Sequence, residues 1–592
     1  MKRTLFNSSR RPVRLTAWVM SVLLIFTTLT GCQQEARTPT DQNFSQVEYQ
    51  RPDGESVVQL IGKAQQQAQD DLLPLGLLHS LRKIGDATED YYSMMTIAQI
   101  RNYADVNDTF YSAEMEYLDT WDARIQSEYN QLFKMIQQSR FQSMTREIYG
   151  SSGAEDMQMS AQSSSKEILS LQEQEKKLEA QYYYEYAQAT VTTPEGEVLF
   201  SSLEPQGQTA YYSQFIDRYN QTLGTLYLEL VSLRDQMAQL LGYDSYTEVA
   251  DLNMHRSSYT REQIQQFREL LKQTLVPVYG GYLEDFYRRA ENQTSAGYVY
   301  LMGEPSPTPQ GDWKDTLERF SKVFSQMALE TGECYEYLLS HGFIDAQPSQ
   351  TKANVTFSTL IYSLNTPFLF ANMDGSENDV YSISHEFGHC FAIWEQLKRG
   401  SRSEGRSMDV CEIHSQAMQM MTLPYYEAFY GEDADVARRY DVFTIVSGIL
   451  TAALNDEFQE QIYQQPQMTV EQLNELYLEL ALEYGLVVES PYSDLQTFSK
   501  GWFTTNQYFD TPFYAIDYSL SGCVALEFLQ RSMEDSQGAL DTYLVLVRQD
   551  AGYDFLTALE KTGLQSPFSE EQLVELSELL EDVLQGTLRL AA

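Results

Sequence analysis

The sequence predicts a mostly α-helical protein of two or more lobes, with one small β element set beside a buried helix. Three observations carry that prediction. Long stretches without proline, often amphipathic, dominate residues 56–188, and helical patterning returns from Tyr211. Strand-like patterns are confined to a hairpin signal near residue 195 and one short run at 366–372. At 592 residues the chain exceeds what one simple core organises.

The elements follow in order. Lys2, Arg3, Arg10, Arg11 and Arg14 form a positive leader, and the apolar run 15–28 is short for a membrane span. It ends in Leu29-Thr30-Gly31-Cys32, which resembles a bacterial lipoprotein signal. The resemblance implies that Cys32 is acylated and becomes the mature N-terminus; the other reading of the run is an uncleaved anchor helix. Gln33 stands where an aspartate is associated with inner-membrane retention in Gram-negative cells. The implied location is the cell envelope: the outer membrane facing the periplasm in a Gram-negative cell, otherwise the extracellular face of the cell membrane. Residues 32–55 are polar, contain Pro39, Pro52 and Gly54, and read as a flexible tether. Residues 56–200 are expected to form an N-terminal helical lobe, and 201–592 a catalytic region.

Charge narrows the partners. The formal net charge is −43, and loss of residues 1–31 takes it to −48. Phosphate recognition needs a basic surface, so nucleic acid is excluded as a partner. The acidity itself reads as solubility. Of five cysteines, Cys334, Cys390, Cys411 and Cys523 remain beside Cys32, scattered rather than spaced as a disulfide framework.

Residues 173–186 form a charged, tyrosine-rich helical stretch. Next, 191–193 and 197–200 flank Pro194-Glu195-Gly196 as a hairpin. A helix opens at Thr260, with Gln263 at the reciprocal capping-box position. The run 366–372 reads as a strand closed by Asp374-Gly375, and its edge, with Phe370 and Asn372, is expected to receive an extended peptide. No internal repeat and no nucleotide-binding glycine loop is present.

Residues 381–397 form a mostly apolar helical stripe interrupted by His385-Glu386-Phe387-Gly388-His389. On a helix, positions i and i+4 share a face, so His385 and His389 can grip one metal ion. Glu386 then stands beside the open coordination position, where a carboxylate can deprotonate a coordinated water. This is the pattern of zinc peptidases. Only six histidines occur in the chain, so the coincidence of two at this spacing carries weight. A third ligand is expected from residues 407–421. Glu412, 23 residues beyond His389, is favoured by spacing, with Asp409 and His414 as rivals. The polar stretch 398–406, with Gly400 and Gly405, forms the turn between. Cys390 and Cys411 flank proposed ligands and read either as redox-sensitive groups or as packing.

Three ordered motifs resemble the thimet oligopeptidase and oligoendopeptidase F family, closest to its oligoendopeptidase F branch. They are Pro367-Phe368-Leu369-Phe370-Ala371-Asn372 running into the histidine motif, Cys411-Glu412-Ile413-His414-Ser415, and Pro512-Phe513-Tyr514-Ala515-Ile516-Asp517-Tyr518. The resemblance covers roughly the last two thirds of the chain. It implies a two-lobed helical zinc peptidase whose deep channel admits short, unfolded peptides. It assigns one zinc ion to His385, His389 and Glu412, general-base chemistry to Glu386, and hydrogen bonding to the oxyanion to Tyr518 and Tyr514. Three departures stand out. Gln507 occupies a position where the family has a histidine, so it can donate a hydrogen bond but not move a proton. Ala515 stands where relatives carry a second tyrosine. Gln419 replaces a glutamate, a change expected to loosen the surroundings of the ligands. A peptide-binding lipoprotein with little turnover is the competing reading, favoured by Gln507.

Overall fold

The computed structural model describes residues 36–70, 74–142, 165–203, 205–291, 307–400, 407–487, 494–549 and 553–584. The expected lipoprotein signal, Cys32 and residues 401–406 lie outside the described residues. The described chain is dominated by helices, as expected. Among the described residues no helix is long and apolar enough to cross a membrane.

Two buried cores organise these helices. Gly54–Asp70, Pro74–Ala104 and Thr109–Gln137 pack around Val57, Ile61, Ile84, Leu118, Ile125 and Leu132. This smaller core ends at Phe141, whereas Tyr182, Val191 and Phe200 join the larger core that runs on to Leu584. The cores therefore divide before residue 200, because the tyrosine-rich helix Lys166–Ala187 docks its Tyr182 ring on Phe509, 3.7 Å away, rather than on the N-terminal helices.

The expected tether is corrected over its described part. Arg37 N–H donates to Leu397 O at 2.9 Å, Phe44 N–H donates to His341 O at 2.8 Å, and Arg51 pairs with the buried Glu114. Phe44 packs on Phe343 and Phe368, and Val47 is buried. A polar average concealed two apolar anchors, and the segment runs along the body of the protein.

Sequence punctuation is followed closely elsewhere. Strands β1 (Thr190–Thr193) and β2 (Gly196–Leu199) pair antiparallel around the expected turn. Thr260 caps Arg261–Gln273 with the reciprocal Gln263 bond in place. The second sheet holds β3 (Ile344–Asp345), β4 (Phe357–Ile361) and β5 (Thr366–Phe370) in the order β3-β5-β4. β5 is central, parallel to β3 and antiparallel to β4, so the open edge expected of it does not exist. Its five residues are all buried, which is why it reads as an unbroken apolar run rather than an alternating one.

Beyond β5, Gly375 turns with φ 79°, and its N–H donates to Asp379 at 2.8 Å. Asp379 lies in the first turn of the helix Asn378–Lys398, where an anion meets the positive end of the dipole. Burial nevertheless pushes its carboxyl up to about 6. This turn hands the chain from the sheet directly into the histidine-bearing helix.

Candidate metal centre

Three helices build the site: the histidine helix Asn378–Lys398, the glutamate helix Met408–Thr422 and the tyrosine helix Ile516–Glu534. The histidine helix buries Ile383, Phe387, Cys390, Phe391 and Trp394, with the Phe387 ring packed between Phe324 and Tyr335. That anchoring turns His385, Glu386 and His389 toward a partly open face.

Gly388 sets the helix spacing. A Cβ there would lie 2.5 Å from His414 O and 2.7 Å from Ser415 Cα, so only glycine lets the glutamate helix approach this closely. The approach delivers Glu412. Its Oε2 stands 3.4 Å from His385 Nε2 and 3.5 Å from His389 Nε2, and ligand atoms of the three residues lie within 4.8 Å of one another.

The rival ligands point elsewhere. Asp409 is buried and accepts from Tyr259 at 2.7 Å. The His414 side chain is buried, and its carbonyl accepts from Tyr543 at 2.8 Å.

The electrostatics favour a positive charge between these groups. Burial opposes charge on Glu412, but hydrogen bonds from His385 and His389 hold its carboxyl well below the usual range. Burial likewise lowers His385, and its bond to Glu412 reverses this and raises it to about 9. A metal ion would take the place of those protons. Two imidazole nitrogens and one carboxylate form a zinc donor set that leaves a position open.

Neighbouring groups fix two of the three candidate ligands. Gln419 Oε1 lies 2.8 Å from His385 Nδ1, which places the proton on Nδ1 and leaves Nε2 free for a metal. The expected loosening at Gln419 is thus corrected: the amide carbonyl occupies the position and the role of an acceptor. Ser415 donates to Glu412 Oε2 at 3.0 Å, and Tyr514 donates to Glu412 Oε1 at 2.9 Å.

The structure brings Tyr514 and Tyr518 to this centre, and separates their surroundings. Tyr514 spends its proton on Glu412, while Tyr518 donates to the Tyr514 oxygen at 3.2 Å. Burial first, then the charge of Glu412, raises both hydroxyls well above the usual phenol range, so both remain donors. The charge of Glu386 also bears on Tyr518, which places that hydroxyl within electrostatic reach of this carboxylate.

Two substrate-binding expectations are corrected. The Phe370 ring is fully buried, stacked on Phe357 at 5.2 Å and covered by Lys352, so it has no face for a peptide. The Asn372 amide is committed to backbone, accepting from Ser349 N at 2.9 Å and donating to Ser349 O at 3.0 Å. Gln507 opens the short helix Gln507–Asp510 and is half-buried. Cys334, Cys390 and Cys523 are buried, with free thiols.

Sequence reasoning missed Arg256 and Gln459, which grip the segment carrying the tyrosines. Arg256 bonds to the Phe513 carbonyl across 257 residues of chain, a separation that no local signal reveals.

Known proteins echo both fold and sequence. Residues 44–164 match the family described as Peptidase M3 N-terminal domain. The chain is 22% identical to oligopeptidase PepF of Bacillus subtilis (strain 168) over 315 residues, 49% of this chain and 45% of that relative. The chain thus spans under half of that relative's length in the match. Among solved structures, PZ peptidase A with inhibitor 2 superposes with a TM-score of 0.80 at 24% identity, covering 92% of this chain and 99% of that one. A protein assigned as an oligoendopeptidase F from Bacillus anthracis str. Ames gives a TM-score of 0.76 at 24% identity, covering 92% and 99%. The fold is the helical fold of the oligoendopeptidase F structures. These likenesses support a peptidase.

Proposed function

We propose that this chain is a zinc-dependent endopeptidase acting on short, unfolded peptides. The observation that carries the reading is the convergence of His385, His389 and Glu412 within 4.8 Å, with Glu386 one residue beyond the first histidine. Zinc held there would polarise the scissile carbonyl and lower the pKa of a coordinated water. Everything else falls to the protein. Glu386 takes the proton of the attacking water and delivers it to the leaving amine. Tyr518 turns from Tyr514 to donate to the developing oxyanion, and its raised pKa keeps the proton available. Tyr514, bound to Glu412, holds that ligand rather than the substrate.

The deciding experiment is hydrolysis of a mixed quenched-peptide library by zinc-loaded protein lacking residues 1–32, beside Glu386→Gln. The expected result is chelator-sensitive cleavage that falls by about 10²–10⁴-fold in the variant while bound zinc stays stoichiometric. No cleavage with stoichiometric zinc would favour the second reading, a peptide-binding protein of little turnover, for which Gln507 in place of a histidine is the supporting feature.

We also infer a lipid anchor at Cys32, supported by the basic leader, the short apolar run and the sequence Leu29-Thr30-Gly31-Cys32. It would place the peptidase at the cell envelope. Cys32→Ser is expected to move the protein from the membrane to the soluble fraction; retention in the membrane would point to an uncleaved anchor helix.

A further inference from the structure

We propose that Arg256 is a positioning residue for the metal centre, gripping the residue immediately before each of its two tyrosines. Arg256 Nη2 donates to the carbonyl of Phe513 at 2.7 Å, next to Tyr514. Its Nε donates to Asp517 Oδ1 at 2.8 Å, next to Tyr518. The third nitrogen, Nη1, donates to Asp251 Oδ1 at 3.0 Å. One rigid guanidinium therefore fixes the start of the tyrosine helix to the helix Tyr246–Asn253. Lysine, with one nitrogen, cannot reproduce three directed bonds to three residues.

The backbone it holds needs holding. Phe513 has φ 66°, in the left-handed region, which is strained for an aromatic residue and persists only where the surroundings impose it. Here they do so from each side. The Phe513 N–H donates to Gln459 Oε1 at 3.1 Å, its carbonyl accepts from Arg256, and its ring packs 5.3 Å from both Tyr463 and the Arg261 guanidinium. His255, just before Arg256, is also left-handed, at φ 56°. Left-handed residues thus stand at the contact on both segments, a geometry suited to aiming a side chain.

Stability alone does not explain the arrangement. Arg256 and Asp517 are 1% and 0% exposed at their side chains, and a buried ion pair repays little of its desolvation. Asp409 stands beside Asp517 and accepts from Tyr259, so the pair is set in a crowded polar cluster. What the contact does deliver is direction. From the gripped residues, Tyr514 reaches Glu412 and Tyr518 reaches Tyr514, and a displacement of about 1 Å in such groups can cost 10²-fold in rate.

The activity readout rests on the peptidase reading, so the test has two arms. In the first, Arg256→Lys is compared in wild-type and Tyr518→Phe backgrounds. If Arg256 acts through Tyr518, the lysine variant loses about 10–100-fold in kcat with KM nearly unchanged, and loses little more once Tyr518 is gone. Equal losses in both backgrounds, or a folded Arg256→Lys protein of unchanged kcat, would overturn the proposal. Asp517→Asn serves the same cycle if Arg256→Lys does not fold. In the second arm, the Co(II)-loaded protein is followed by its visible absorption. Arg256→Lys is expected to shift the band in wild type but not in Tyr514→Phe, and an unshifted band overturns the clamp. Wild-type protein that binds Co(II) but cleaves nothing refutes the peptidase reading alone, and the absorption arm then decides.

Discussion

The histidine and glutamate helices meet through ordinary helical backbone, whereas the tyrosine segment reaches the same centre through a left-handed phenylalanine. On the ligand side, spacing does most of the placement: four residues align His385 with His389, and Gly388 between them lets the next helix approach. On the tyrosine side nothing local suffices. Phe513 is held by Gln459 and Arg256, 54 and 257 residues away in sequence. The comparison teaches that one half of the site is fixed by helix geometry and the other by long-range buried polar contacts.

The two tyrosines offer the largest test of that division, because they share a segment but touch different halves of the site. Tyr518→Phe is expected to lower kcat by about 10²–10³-fold with zinc affinity unchanged, as for loss of one oxyanion donor. Tyr514→Phe removes a bond to a ligand, so its main expected effect is a loss of about 10–100-fold in zinc affinity, measured by chelator competition. The division collapses if both variants lose kcat alone, since Tyr514 would then serve the substrate and not Glu412.

How much of this was legible follows from range. The candidate metal cluster was legible because His385 and His389 stand one helical turn apart, and because Glu412 lies where one loop and a helix return would bring it. The rivals Asp409 and His414 could be separated from Glu412 only by knowing which helix faces which. Local punctuation at Thr260 and at Gly196 was equally legible, since caps and turns are written in adjacent residues. The misreadings share one cause. Residues 36–51 looked like a tether because two apolar anchors, Phe44 and Val47, are diluted by polar neighbours. β5 was taken for an edge because nothing in its own sequence names β3 as a partner, and Phe370 and Asn372 were misassigned with it. Gln419 was read as a loss because a glutamine matters only for the atom it turns toward His385, which sequence does not encode locally.

The smallest expected effect compares two glycines on the helices of the site. At Gly388 an added Cβ would strike backbone, His414 O at 2.5 Å and Ser415 Cα at 2.7 Å, which cannot rotate away. At Gly522, on the tyrosine helix, it would meet the buried, β-branched side chain of Ile449, with Cγ1 at 2.5 Å, rather than the backbone of the glutamate helix. Replacing a helical glycine by alanine gains about 1 kcal/mol in propensity at either position. Overpacking at Gly388 opposes that gain with about 1–3 kcal/mol, because the glutamate helix must move outward. Gly388→Ala is therefore expected to melt below wild type and to bind zinc more weakly, as Glu412 withdraws from the histidines. Gly522→Ala is expected to lose stability as well, through overpacking against Ile449, but with zinc affinity intact because the glutamate helix is not displaced. Thermal melts and zinc titrations of both variants read the difference. Equal behaviour would show that the ligand helices are spaced by something other than the glycine contact, and that the ligand half of the site, like the tyrosine half, is set at long range.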